Sequence, residues 1–159
     1  GISKQRGEEH VQRIKHKKET FLLRCGNIYG YSKSMRFDSV INRFMFEANY
    51  SGKIAIKGDG SQLRTFIHIN SVVDNLVKIV KNEIEKGNYN LTESNWSLLD
   101  VVDCVNEIYP EMEMIFLNKH FPIKSVTVEP DKNLPWLKEG DLKTELANFK
   151  KEFIILINY

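Results

Sequence analysis

Residues 54–73 read IAIKGDGSQLRTFIHINSVV, and the reading of this stretch decides the fold. Ile54 and Ile56 alternate with Ala55 and Lys57, the two-residue period of a strand with one buried face. Gly58, Asp59 and Gly60 then form a tight turn, because glycine reaches positive φ at little cost and Asp-Gly is a strong turn pair. Arg64 stands between that turn and a second apolar run, Phe66, Ile67 and Ile69. Its planar, permanent charge suits a phosphate or a carboxylate. An ordinary hairpin carrying a solvated arginine accounts for the same residues.

Towards the N-terminus, residues 38–49 read as an amphipathic helix, with Val40, Ile41, Phe44, Met45 and Ala48 on one core-facing stripe. Residues 20–25, TFLLRC, read as a buried strand that runs into a junction at Gly26, Asn27, Ile28, Tyr29 and Gly30. Residues 1–18 read as one helix with a thin stripe of Ile2, Val11 and Ile14. Glu8 and Glu9 precede Lys15, Lys17 and Lys18, so its charges complement the helix dipole. No aromatic residues are interleaved with this basic end, which fits a solvated helix terminus and not a nucleic-acid patch.

Towards the C-terminus, residues 71–86 read as a helix opened by a Ser71/Asp74 capping box, with Val73, Leu76, Val77, Val80 and Ile84 inward. Residues 88–91 read as a short strand. Residues 97–109 read as a second capped helix, with Ser97 and Asp100 as the box and Leu98, Val101, Val102, Val105 and Ile108 inward. A strand at 114–117 follows, then an irregular stretch punctuated by Pro122, Pro130 and Pro135 up to Trp136. A last helix covers 141–153, ahead of an apolar tail.

The chain has 159 residues, 42% hydrophobic and 28% charged, enough for one domain with a real core. A net charge of +2 gives no reason to invoke nucleic acid or a membrane as partner. Two cysteines in apolar runs, Cys25 and Cys104, read as buried thiols in a reducing, cytoplasmic compartment. No apolar run is long enough to span a bilayer, and no metal-ligand spacing is present.

Three segments resemble one family. Residues 58–69, G-D-G-S-Q-L-R-T-F-I-H-I, resemble the signature G-D-G-x-Q-x-R-x-F-I-H-[IV] of the extended short-chain dehydrogenases/reductases, the NAD-dependent nucleotide-sugar epimerases and dehydratases. The opening run G-I-S-K-Q-R-G-E-E is similar to the run after the active-site tyrosine in Y-G-x-S-K-x-x-G-E. Residues 23–30, L-R-C-G-N-I-Y-G, are similar to L-R-x-x-N-[VI]-Y-G. The resemblance covers roughly residues 1–149 and weakens after Asn95.

It implies an α/β fold: the last strands of a Rossmann-type parallel sheet plus the small α/β substrate-binding lobe. Residues 1–35 would end the NAD-binding domain, starting inside its active-site helix. Residues 36–70 would belong to the substrate-binding lobe, 71–95 would return to the Rossmann domain, and 96–159 would form the C-terminal substrate-binding lobe. The implied function is that of the C-terminal half of an NAD- (or NADP-) dependent enzyme on a nucleotide sugar. Hydride transfer there gives a transient keto-sugar. A sugar 4-epimerase is the first choice; dehydratases, decarboxylases and reductases share the motifs.

The resemblance also assigns residues. Lys4 would be the catalytic lysine of a Tyr-x-x-x-Lys pair whose tyrosine is expected immediately before Gly1. Residues four apart share a helix face, and an ammonium there lowers a phenol pKa from about 10. Lys4, Cys25 and Gly26 would lie at the cofactor. Asn27, Val40, Ile41, Gly58 and Arg64 would bind the nucleotide sugar, and His68 would be structural. Tyr31 departs from a usual proline, Lys57 from an aromatic residue that stacks on the base, Thr65 from aspartate, and Asn70–Ser71 from an acidic pair. The glycine-rich cofactor turn of the family is not found in these residues, so the chain alone is expected neither to hold NAD tightly nor to turn over substrate. Its exposed strand edge is expected to promote poor expression or self-association. The full-length form would be a homodimer without a metal. The second reading is a non-catalytic nucleotide-sugar- or RNA-binding member of the same fold family.

Overall fold

The computed structural model describes residues 1–121, 123–131, 134 and 140–157, with side chains described up to Phe153. The expectations for Pro122, Pro135, Trp136 and the side chains of the tail lie outside the described residues.

The elements follow the chain as α1 (Ile2–Ile14), β1 (Phe21–Cys25), β2 (Asn27–Tyr29), α2 (Val40–Ser51), β3 (Lys53–Lys57), β4 (Leu63–His68), α3 (Ile69–Val80), β5 (Gly87–Leu91), β6 (Ser94–Ser97), α4 (Leu98–Ile108), β7 (Glu113–Leu117) and α5 (Leu142–Ile157). They build three small sheets. β1 pairs parallel with β5 from Phe21↔Gly87 to Cys25↔Leu91. β4 lies between β2, parallel, and β6, antiparallel. β3 pairs parallel with β7. This is the mixed α/β architecture expected, with parallel strands returned through helical crossovers.

The glycine turn does not close a hairpin. β3 goes to β7 and β4 goes to β2 and β6, so the turn redirects the chain between two sheets. Ile54 and Ile56 are buried against α2, α4 and α5 in the larger core, with Ile41, Phe44, Met45, Val101, Val102, Val105, Leu146, Phe149 and Phe153. A smaller core gathers Ile67, Val72, Ile84, Tyr89, Leu91 and Leu134. β4 is the wall between them: Phe66 belongs to the first core and its neighbour Ile67 to the second.

Local signals decided the helix ends. α4 carries the full box: Ser97 Oγ accepts from Asp100 N at 3.0 Å, and Asp100 Oδ2 accepts from Ser97 N at 2.8 Å. α3 differs from expectation. It starts at Ile69, capped by His68, whose Nδ1 accepts from Asn70 N at 3.3 Å, and it ends at Val80. Ser71 instead hydrogen-bonds Glu93. Val73, Leu76, Val77 and Val80, expected inward, are 48%, 46%, 44% and 81% exposed, while Val72 and Asn75 are buried. The stripe is real, but no element among the described residues covers it.

Three further expectations change. Asn27–Tyr29 form a strand rather than a loop, because β4 supplies a parallel partner. Cys25 is exposed at the end of β1, and Cys104, midway along α4, is only half-buried against the larger core. α1 has no buried residue. It is held through Arg24, which donates to both carboxylate oxygens of Glu8 at 2.7 and 3.0 Å, and through Gln12 to Asn88 at 2.9 Å. No helix among the described residues is long and apolar enough to cross a membrane.

Candidate active site

Open α/β sheets place ligands at the carboxyl ends of their strands. At the end of β1, protein atoms around Cys25 push its thiol pKa up, and the Lys4 ammonium on α1 pulls it down. The structure therefore brings Lys4 within electrostatic reach of Cys25, although the two lie on different elements. Gly26 follows, with its N–H bonded to Leu91 O at 3.1 Å. A Cβ there would stand 3.2 Å from the Phe66 carbonyl carbon and from Thr65 Cγ2 and O, so β2 could not approach β4 as it does with a side chain at this position.

Asn27 is exposed and turns its amide onto β4, Nδ2 donating to Thr65 O at 2.9 Å. Arg64 is half-buried. Its Nη1 donates to Leu63 O at 2.7 Å and to Lys124 O at 2.8 Å. Among the described residues no carboxylate pairs with it. The guanidinium is thus fixed at one corner by neutral acceptors, with its charge unspent.

Gly58 makes the turn at φ +76°, its N–H on Leu117 O at 2.9 Å. A Cβ there would come within 3.0 Å of Ile123. It borders a cleft of about 220 Å³ at the ends of β3 and β7, lined by Lys57, Gly58, Leu117, Asn118, Phe121 and Ile123. Val40 is half-buried against the larger core. Ile41, expected near the nucleotide, is wholly enclosed in that core. His68 is structural: it caps α3, its ring meets Tyr29 edge-on at 5.1 Å, and burial lowers its pKa against the opposing pull of Glu93.

Two groups escaped sequence reasoning. One is the strap at residues 123–128, which runs along β4 with Val126 N on Leu63 O at 3.0 Å and Leu63 N on Ser125 Oγ at 2.9 Å. Its signal was an apolar pair, Phe121 and Ile123, just beyond a strand end. The other is the cluster of Tyr29, Glu93 and Glu145. Burial is the first cause raising the pKa of all three. Among the described residues no group of three or more His, Cys, Asp or Glu side chains could hold a metal ion.

Parallel strands joined through helices place the chain in the Rossmann-like α/β class. The profile of the NAD dependent epimerase/dehydratase family matches residues 1–92, more than half of the sequence. The chain belongs to that family. Its fold is similar to UDP-N-acetylglucosamine 4-epimerase from Bacillus cereus, at 18% identity and TM-score 0.77, covering 97% of this chain and 55% of that one. It is similar to ADP-L-glycero-D-manno-heptose-6-epimerase from Helicobacter pylori, at 20% identity and TM-score 0.78, over 97% of this chain and 50% of the other. It is also similar to dTDP-glucose 4,6-dehydratase from Bacillus anthracis, solved with NAD, at 13% identity and TM-score 0.74, over 94% and 49%. The chain spans about half the length of these solved relatives.

Proposed function

We infer that this chain supplies the substrate-side half of an NAD-dependent epimerase or dehydratase acting on a nucleotide sugar, with a sugar 4-epimerase the first choice. The observation that carries the reading is Arg64: a half-buried guanidinium near the start of β4, held by two carbonyls and without a carboxylate partner among the described residues. Such a cation suits the diphosphate of a nucleotide sugar. Asn27 lies one strand away and serves the sugar or its phosphates. The cleft of Lys57, Leu117, Phe121 and Ile123 offers an apolar wall to the base, with Phe121 in place of the aromatic residue that Lys57 replaces.

NAD fits the other edge in part. Gly26 leaves its backbone bare against β4, and the Lys4 ammonium acts electrostatically on the neighbouring Cys25. When bound, NAD would accept and return a hydride at a sugar carbon. Lys4 would hold the cofactor ribose and support deprotonation of a substrate hydroxyl by a tyrosine. Arg64 and Asn27 would hold the nucleotide sugar while its ring is oxidised to the keto form and reduced again.

Titrating the chain with UDP, dTDP and GDP tests this by calorimetry. Binding of one diphosphate, weakened about tenfold or more by Arg64→Ala, is expected. Binding that ignores Arg64, or binding of RNA in its place, counts against it.

A further inference from the structure

Thr65 stands where two halves of the site meet. It is 4% exposed, in the middle of β4, and every polar atom beyond its amide is used outside regular pairing. Its hydroxyl donates to Asn95 Oδ1 at 2.5 Å and accepts from Val128 N at 2.7 Å. Its carbonyl accepts from Asn27 Nδ2 at 2.9 Å. Its methyl faces Gly26, where a Cβ would be 3.2 Å away. One residue therefore touches the turn beside Cys25, the amide of Asn27 and the strap at residues 124–128. That same strap gives the Lys124 carbonyl to Arg64.

A hydroxyl oxygen donates to Asn95 and accepts from Val128 through one atom. A carboxylate accepts only, and a valine does neither. Losing the hydroxyl would leave the Val128 N–H without its acceptor and this part of the strap on a longer bond, Thr92 Oγ1 donating to Val128 O at 3.5 Å. The strap would then be held to β4 through Ser125 Oγ and Val126 N on Leu63 and through Lys124 O on Arg64.

The geometry points to Thr65 as the positioning residue of this site: it pins the strap that aims Arg64 and, from the same strand position, sets the amide of Asn27. The assignment rests on the reading of Arg64 and Asn27 as nucleotide-sugar groups. It makes the threonine at this position a choice of fastening, because the acceptor that holds the strap also has to give a proton to Asn95.

The test uses the whole chain, with UDP as probe. Thr65→Val keeps the methyl and removes the hydroxyl; Thr65→Ser keeps the hydroxyl. In Thr65→Val, amide exchange at Val128 and Val126 is expected to quicken about tenfold while amides of β3 and β7 hold. UDP affinity is expected to fall about tenfold, with Thr65→Ser restoring both. A role in packing alone would not be rescued by serine and would not confine the change to the strap. If Thr65→Val does not fold, Val128→Pro removes the same bond from the strap side and must weaken UDP equally. Unchanged strap exchange, or unchanged UDP affinity in a folded variant, overturns the assignment. If neither the native chain nor Arg64→Ala binds UDP, the nucleotide-sugar reading has failed and the positioning role falls with it. Native binding that depends on Arg64 but not on Thr65 overturns the positioning role alone.

Discussion

The phenol of Tyr29 donates its hydrogen to Glu145 Oε2, tying strand β2 to helix α5 across 116 positions of sequence. Glu93 faces the same point: a Cβ on Gly140 would lie 3.3 Å from Glu145 Oε2, 3.4 Å from the Tyr29 hydroxyl and 3.5 Å from Glu93 Oε2. Glu93 also accepts from His68 N at 2.8 Å. Two carboxyls and a phenol thus meet with no cation between them among the described residues. Burial comes first in raising both glutamates, and Asp141 adds to Glu145 as Glu145 adds to Glu93.

Stability should therefore fall as this cluster ionises. A folded pKa above the unfolded one means that the native chain holds more protons. The contribution is full below the ordinary glutamate value and is lost as pH rises through the raised folded values. As pH rises above the ordinary glutamate range the native chain should lose melting temperature, and Glu93→Gln should flatten that slope. Parallel slopes for the two proteins in thermal melts would sink this account.

Ser97→Ala should cost about 1 kcal/mol in urea unfolding, because the Ser97 side chain satisfies the Asp100 N–H at the start of α4. Asp100→Ala removes the reciprocal bond to Ser97 N. The double variant should cost less than the sum of the two, since each side chain orients the other. Full additivity would show that the box does not act as a unit.

Gly26→Ala should destabilise the chain by about 1–3 kcal/mol, because its methyl would press on the backbone of Thr65 and Phe66. The damage should be local. Exchange of the amides that pair β2 with β4 should rise well before that of β3. An alanine variant as stable as the native chain would mean that β2 can back away freely.

The exposed stripe on α3 should make the chain associate. Val73, Leu76, Val77 and Val80 present an apolar band on one helix face with no cover among the described residues. Light scattering behind a sizing column should show mass rising with concentration. Leu76→Glu with Val80→Lys should return it to a monomer. A native chain that stays monomeric and melts cooperatively at high concentration would refute this, and with it the expected self-association.

What the sequence revealed depended on distance. Ile54 and Ile56, Gly58 and the Ser97 box are decided within a few residues, and all stand as read. Asn27–Tyr29 did not read as a strand because three residues carry no period; β4 makes them one. The α3 stripe read correctly as apolar, but periodicity says that a face exists and not what covers it. Ile41 read as a ligand neighbour by resemblance, while its burial comes from α4 and α5, far along the chain. Thr65 was noticed only as a departure from a motif. Its use needed Asn95 and Val128, 30 and 63 positions away.

The division of labour between Phe66 and Ile67 limits how such a chain can change over generations. Neighbouring positions on β4 serve opposite interiors, so a single inserted or deleted residue inside the strand would turn both inside out together. The same edit in the 58–62 loop would disturb neither. Descendants can therefore vary that loop while the strand behind it stays fixed in length, and its surface can change without refounding the protein.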